Sequence, residues 1–201
     1  MRLPKHIGVI PDGNRRWAKE HGFNKEDGYS YGLDCGLRFL RAASSRGIKE
    51  ITYYGFTVDN CKRPKEQVEA FTKACCDAVQ LIAKEDVALF VVGNTDSACF
   101  PKALLPFTKR REKTGEKTTR VNFLVNYGWE WDIRSGLLSR DIPRIDLVIR
   151  FGGMCRLSGF LPMQTVYSDI CVLKPFWPDF REEHLDEALA WYSRQDVTLG
   201  G

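Results

Sequence analysis

Five short runs of β-forming residues divide this chain, at residues 6–10, 51–56, 87–92, 121–125 and 145–149, and each is apolar on both faces. A strand wetted on one side alternates apolar and polar residues. A strand covered on both sides has no reason to, and it reads as a continuous apolar run. Between the runs lie longer stretches with helical spacing. One at 29–46 is closed by Gly47 as a C-cap, and one at 64–84 opens with proline in its first turn; others follow at 101–113, 131–139, 159–167 and 181–194. Strand alternating with helix implies right-handed crossovers between parallel strands. The expected fold is therefore α/β: one domain with a central, mostly parallel sheet and helices on both faces. At 201 residues the chain suits one well-filled core, and the loops at 114–118 and 139–144 are too short to separate two. The domain is expected to span 1–201.

In such a sheet, ligands collect at the carboxyl ends of the strands. The first run leads into Asp12-Gly13-Asn14-Arg15-Arg16-Trp17. The second leads into Thr57-Val58-Asp59-Asn60-Cys61-Lys62-Arg63-Pro64. The third and fourth lead into Gly93-Asn94 and Asn126-Tyr127-Gly128. The fifth leads into Arg150-Phe151-Gly152-Gly153-Met154-Cys155-Arg156-Leu157-Ser158. Arg16, Arg63, Arg150 and Arg156 thus converge on one rim, where they repel one another unless an anion lies between them. Their planar forks suit phosphate oxygens. Gly13 lets backbone approach a phosphate, and the helix that follows offers free N–H groups. Asp12 has two readings. It can cap that helix, or it can hold a cation such as Mg²⁺ between carboxylate and phosphate.

Several classes are excluded. There is no GxxxxGK[ST] and no GxGxxG. The three histidines, His6, His21 and His184, lie off the rim, which leaves no Ser/His/Asp set. Seven cysteines, an odd number without a CxxC pair, read as reduced thiols, mostly buried, in a cytoplasmic protein; no zinc spacing is present. A net charge of +4 is too mild to argue for nucleic acid, and no stretch has the length or apolarity of a transmembrane segment or signal peptide. A site that holds diphosphates without an obvious nucleophile suits ionisation of an allylic diphosphate, in which arginines and a metal stabilise the leaving group beside an apolar pocket.

The blocks HIGVIPDGNRRWAKEHG, ITYYGFTVDNCKRP, VNYGWEWDI, IDLVIRFGGMCRLSGFLPMQTVYSD and FWPDF, in this order, resemble the cis-prenyltransferase (undecaprenyl diphosphate synthase) family over nearly the whole chain. The resemblance implies a homodimer acting on small-molecule prenyl diphosphates with Mg²⁺. By position, Asp12 is the catalytic acid that holds Mg²⁺, and Gly13, Asn14, Arg15 and Arg16 wrap the donor diphosphate, with Trp17 beside them. Asn60 and Arg63 lie near the reacting carbons, and Arg150, Arg156 and Ser158 bind the acceptor diphosphate. Asp169 stands where the family has a glutamate that completes the metal site. The chain also departs from the pattern. Tyr29 replaces a histidine, Val58, Asp59 and Cys61 remodel a loop, Met154 replaces a glutamate, and few residues join Ile133 to Ile145 where chain-elongating members carry a longer insert. These departures resemble the short lavandulyl-type branch, which joins two allylic units head-to-middle. The plainer readings are packing for Trp17, Trp129, Trp131 and Trp177, a helix-face role for Tyr29, a turn role for Asn60, and apolar filling for Cys61 and Cys155. The run Lys109-Arg110-Arg111 reads as a solvated helix face.

Overall fold

A computed structural model describes residues 2–109 and 118–196. Arg110, Arg111, Lys113 and the loop at 114–117, all considered above, and the terminal Thr198-Leu199-Gly200-Gly201 lie outside the described residues. Six strands form one sheet: β1 (His6–Ile10), β2 (Glu50–Thr57), β3 (Val87–Val92), β4 (Thr119–Tyr127), β5 (Leu147–Arg150) and β6 (Asp169–Val172). Their order is β3-β4-β2-β1-β5-β6, and every neighbouring pair is parallel. The five apolar runs are thus strands, as expected. The sixth strand, with pattern Asp-Ile-Cys-Val, is short and lies at the sheet edge, so its partly polar sequence carried little signal.

The helices are α1 (Asn14–Glu20), α2 (Gly28–Tyr31), α3 (Leu33–Ser45), α4 (Lys65–Ile82), α5 (Trp129–Arg134) and α6 (Glu182–Tyr192). Alternate side chains of the strands feed two cores. Ile7, Val9, Ile51, Tyr53, Leu89, Val91 and Ile149 join the inner faces of α3, α4 and α6. Ile10, Tyr54, Phe90, Leu124 and Val148 join Ile142, Ile145, Phe160, Leu161 and the flank of Trp131 in α5. The second face is thus covered by one short helix and by irregular chain.

Two expected helices are corrected. The stretch at 159–167 forms turns, because Ser158, Gly159 and Leu161 hold φ of 52°, 78° and 37°, values no right-handed helix contains. The stretch at 101–113 yields only a 3₁₀ segment over Lys102–Phe107, with Pro106 inside it. The expected helix at 29–46 is two helices that meet at Gly32.

Asp132 pins the irregular face. Fully buried in α5, it accepts from the Tyr127 hydroxyl at 2.8 Å, the Ser139 hydroxyl at 2.5 Å and the Ser139 N–H at 3.0 Å. Gln164 then donates to the Ser139 carbonyl at 3.0 Å. A buried carboxylate is tolerable only with such a full set of donors.

All seven cysteines are free thiols. Cys35, Cys75 and Cys171 are buried as expected, but Cys155 is exposed and Cys61, Cys76 and Cys99 are half-buried. Among the described residues no helix is long and apolar enough to cross a membrane.

Candidate active site

The parallel register puts the carboxyl ends of β1, β2, β4 and β5 on one edge of the sheet; Ile10 pairs with Arg150, and Thr57 with Tyr127. A cavity of about 460 Å³ opens there. Its mouth is polar, with Asp12, Asn14, Arg15, Tyr29, Asn60, Arg63, Arg150, Arg156 and Ser158 around it. Its depth is apolar and runs between α3, α4 and the sheet. A polar mouth over an apolar shaft matches an amphiphile with a charged head.

Asp12 leaves β1 just beyond its last paired residue. Its Oδ2 accepts from Arg150 Nη2 at 2.7 Å, and its Oδ1 lies 3.4 Å from Arg16 Nη2. Its side chain keeps 31 % exposure, against 5 % for Arg150. Asp12 makes no cap bond; the cap position of α1 belongs to Gly13, which has no side chain to cap with. Of the two readings of Asp12, the cap is thereby removed. Gly13 holds φ 105°, and a Cβ there would stand 2.4 Å from Phe176. The Phe176 ring in turn carries the Arg16 guanidinium at 4.9 Å, and Arg16 donates to the Gly152 carbonyl at 2.8 Å. Gly13 and Arg16 thus shape the wall from behind rather than line the cavity.

Arg150 also donates to Ser158 Oγ at 3.1 Å and to the Arg156 carbonyl. It therefore folds the loop after β5 back over itself and leaves the exposed Arg156 side chain at the mouth. On the other lip, Arg63 donates to the Tyr29 hydroxyl at 3.1 Å, and Arg15 donates to Gln67 at 3.2 Å. Burial pushes the Tyr29 phenol above its ordinary value, while Arg63 and Arg15 pull it down. Tyr29 thus both lines the cavity and contacts an arginine.

Asn60 lines the cavity and also holds the turn: its Oδ1 accepts from the Thr57 N–H at 3.0 Å, while its own N–H donates to Thr57 Oγ1 at 3.3 Å. The turn reading of Asn60 is thereby met, and the residue also lines the cavity. Cys61 fills the back of the same turn, with its thiol pushed up to about 12, chiefly by burial.

Two expected site residues lie elsewhere. Trp17 packs at 9 % exposure among His21, Phe23 and Tyr31, with its indole N–H on Asp179 at 2.8 Å, so it braces α1 and does not line the cavity. Asp169 begins β6 opposite Leu147, which pairs with Ile7 at the far end of β1. At about 3.3 Å per residue, the level of Ile10 is roughly 10 Å further along. Asp169 is held there by Arg2 at 3.4 Å. One chain does not bring Asp12 and Asp169 together. Among the described residues no three His, Cys, Asp or Glu side chains form a metal cluster.

Sequence reasoning missed Phe176, which supports Gly13 and Arg16, and the small residues Gly36, Ala74 and Ala78, which leave the shaft open. Trp177 was read as packing, and it does pack, but its indole also lines the cavity and donates to the Gly32 carbonyl at 2.8 Å. Glycines inside a helical pattern were the one available signal for the shaft.

Comparison with known proteins agrees with this geometry. A family model described as putative undecaprenyl diphosphate synthase matches residues 10–139 and 133–200. The farnesyl-diphosphate-specific ditrans,polycis-undecaprenyl-diphosphate synthase of Aliivibrio fischeri is 33 % identical, with 98 % of this chain and 89 % of that protein covered. An isoprenyl transferase of Thermotoga maritima is 29 % identical over 100 % of this chain and 98 % of its own. Both alignments extend beyond 201 positions, at 229 and 231, so the relatives carry residues this chain lacks. The two matched pieces of the family model meet at 133–139, within the link expected to be short. Among solved structures, lavandulyl diphosphate synthase from Lavandula x intermedia, in complex with dimethylallyl diphosphate, superposes with a TM-score of 0.81 over 99 % of each chain at 23 % identity, a likeness of fold. The chain belongs to the undecaprenyl diphosphate synthase family of prenyltransferases.

Proposed function

We propose that this prenyltransferase joins an allylic donor, dimethylallyl or geranyl diphosphate, head-to-middle to dimethylallyl diphosphate, and that the whole chain, 1–201, is one catalytic domain working as a homodimer. The observation that carries the reading is the arginine-ringed mouth above a short apolar shaft, within one cavity of about 460 Å³. The donor diphosphate lies against Asn14, Arg15 and Arg63 at the start of α1, and the acceptor diphosphate against Arg150, Arg156 and Ser158. The donor C1–O bond breaks and diphosphate leaves with the electron pair. The internal double bond of the acceptor attacks C1, and the new cation loses a proton.

The donor set suits Mg²⁺. Asp12 is a hard oxygen ligand, a third exposed, with Oδ1 only loosely held, and Mg²⁺ takes few carboxylates while keeping water and phosphate oxygens. Bound there, the ion would neutralise charge on the departing diphosphate. The arginines share that work. Asp169 reaches Asp12 only from a second copy of the chain.

The head-to-middle assignment rests on the acceptor side. Met154 stands where an acid is usual, and the carboxylates around the cavity are Asp12, committed to Arg150, and Asp59, bonded to Lys62 at 2.6 Å. An internal-alkene acceptor sheds its proton from a different carbon than isopentenyl diphosphate does, so it needs a different pocket. The second reading, head-to-tail addition of isopentenyl diphosphate to a short donor, is favoured by the undecaprenyl-type relatives. Product assay decides between them. With dimethylallyl diphosphate alone, a branched product identified by mass and NMR is expected. Efficient linear elongation with isopentenyl diphosphate as the only acceptor overturns the branched reading.

A further inference from the structure

Cys61 and Cys99 belong to different loops, yet their thiols meet. Cys61 lies in the 3₁₀ turn Val58–Lys62 that follows β2, and Cys99 in the loop that follows β3. Strand β4 lies between β2 and β3 in the sheet, so both loops flank its carboxyl end. Asn126, near that end, joins them. Its Oδ1 accepts from Cys61 Sγ at 3.4 Å, and its Nδ2 donates to the Asn94 carbonyl at 3.2 Å. The Asn94 N–H donates back to the Asn126 carbonyl at 3.2 Å. From Asn94 the loop winds tightly. The Ser97 N–H donates to the Asn94 carbonyl at 3.2 Å, the Cys99 N–H to Ser97 Oγ at 3.2 Å, and the Phe100 N–H to the Ser97 carbonyl at 3.0 Å. The winding brings Cys99 to Cys61, and the two thiols hydrogen-bond.

Their place gives the contact a consequence. Cys61 follows Asn60 and stands two residues before Arg63, and both of those line the cavity. The Arg63 N–H donates to the Asn60 carbonyl at 3.1 Å, so the turn also positions Arg63. Sulfurs in contact must close to about 2.05 Å to bond, and one loop has to move. Phe100 is buried and anchors the Cys99 loop, whereas no residue of Val58–Lys62 is buried. The turn is therefore the part that yields. Bonding also removes the S–H that Asn126 Oδ1 accepts. Both cysteines are half-buried, within reach of a small oxidant. Burial, with Cys99 beside it, pushes the Cys61 thiol up to about 12, so it keeps its proton until Cys99 has reacted.

We propose that Cys61 and Cys99 are a peroxide-sensitive pair whose disulfide displaces the turn carrying Asn60 and Arg63 and so switches the enzyme down. The Cys99 sulfur attacks peroxide, the O–O bond breaks, and Cys99 becomes a sulfenic acid as water leaves. Cys61 then attacks the Cys99 sulfur, the S–O bond breaks, and a second water leaves with the Cys61 proton. The two thiols lose two electrons and peroxide gains them. The effect on turnover rests on the reading that Arg63 holds the donor diphosphate; the disulfide itself does not. The test treats the reduced protein with hydrogen peroxide, maps its tryptic peptides, and measures kcat/KM for dimethylallyl and geranyl diphosphates before and after. A disulfide-linked pair of peptides 50–62 and 85–102 is expected. Donor kcat/KM is expected to fall at least about tenfold, since a displacement of about 1 Å in a positioning group can cost 100-fold, and dithiothreitol is expected to restore it. Cys99→Ser is expected to match the reduced wild type and to show no loss that dithiothreitol reverses. Cys61→Ser is expected to lack the linked peptides, which keeps the pairing testable if the serine at 99 is not tolerated. Oxidation of the exposed Cys155 without the linked peptides overturns the pair. Linked peptides with unchanged kinetics overturn the switch, and so does an equal reversible loss in Cys99→Ser. Reduced wild type inert toward every allylic diphosphate overturns the proposed function, while the linked peptides still decide the pair.

Discussion

Arg150 is buried at the end of β5, and its guanidinium donates to Asp12 Oδ2 at 2.7 Å while its other terminal nitrogen holds Ser158 at 3.1 Å. One side chain therefore ties the loop after β1 to the loop after β5. It also means that Asp12 cannot be removed without consequence for Arg150. A buried guanidinium stripped of its carboxylate is strongly destabilising, so alanine at 12 confounds activity with folding. Asp12→Asn keeps an oxygen acceptor and removes only the charge. Its expected stability loss of about 1 kcal/mol lowers Tm by roughly 2–4 °C. Activity is expected to fall at least about 100-fold, since a metal's charge stabilisation is worth several kcal/mol. Calorimetry with steady-state kinetics checks both. Unchanged turnover would remove the role assigned to Asp12.

Gly13→Ala tests the turn behind the mouth. The new Cβ meets Phe176 at 2.4 Å in a left-handed conformation, where a non-glycine residue costs about 1–3 kcal/mol. Relief of the clash pushes Phe176, and with it the Arg16 guanidinium stacked on its ring. The expected result is a moderate drop in Tm with a larger drop in kcat. Wild-type kinetics in a destabilised variant would show that the turn is scaffold alone.

Much of the fold was legible because strands covered on both faces cannot hide: five continuous apolar runs became five strands. What stayed hidden lacked a period. Residues 151–168 carry Gly152, Gly153, Ser158, Gly159 and Leu161 at positive φ, and such a path is set by tertiary bonds such as Arg150 to Ser158 and Tyr54 to the Ser158 carbonyl at 2.9 Å. Of the site, Asp12, Arg150 and Arg156 were readable from their place after strands. Whether Trp17 and Asp169 faced the cavity was not, because side-chain direction at Trp17 and edge-strand register at Asp169 decide it. Gly36 shows the converse: its place in a helical pattern was visible, but only its packing reveals what it leaves empty.

His6 predicts a pH dependence remote from the site. It is buried in β1, with Nε2 2.8 Å from Thr52 Oγ1 and Nδ1 3.2 Å from the Arg144 carbonyl. Burial lowers its pKa below the ordinary 6.5, while Glu50 and Asp146 pull the other way. Below 6.5 the unfolded chain binds a proton that the folded chain does not, so stability is full above 6.5 and declines as pH falls through the window beneath it. Tm measured from pH 7.5 to 5 is expected to drop, and His6→Gln is expected to flatten the slope. His184, also lowered by burial, leaves a residual slope of the same sign. Identical slopes in wild type and variant would mean that His6 does not govern this range.

The last prediction separates Tyr29 as a ligand contact from Tyr29 as packing. Its ring meets Phe71 edge-on at 6.0 Å, and its hydroxyl accepts from Arg63 at 3.1 Å. Tyr29→Phe keeps the ring and removes only the hydroxyl. If the phenol positions Arg63 for a diphosphate oxygen, the loss is one hydrogen bond worth about 1 kcal/mol, or roughly fivefold. The donor diphosphate gains negative charge as its C1–O bond breaks, so the effect is expected in kcat as well as in the donor KM. The acceptor KM is expected to stay within twofold, because Arg150 and Arg156 hold that end. Equal effects on both substrates would assign Tyr29 to packing, and so would a loss of Tm without a kinetic change.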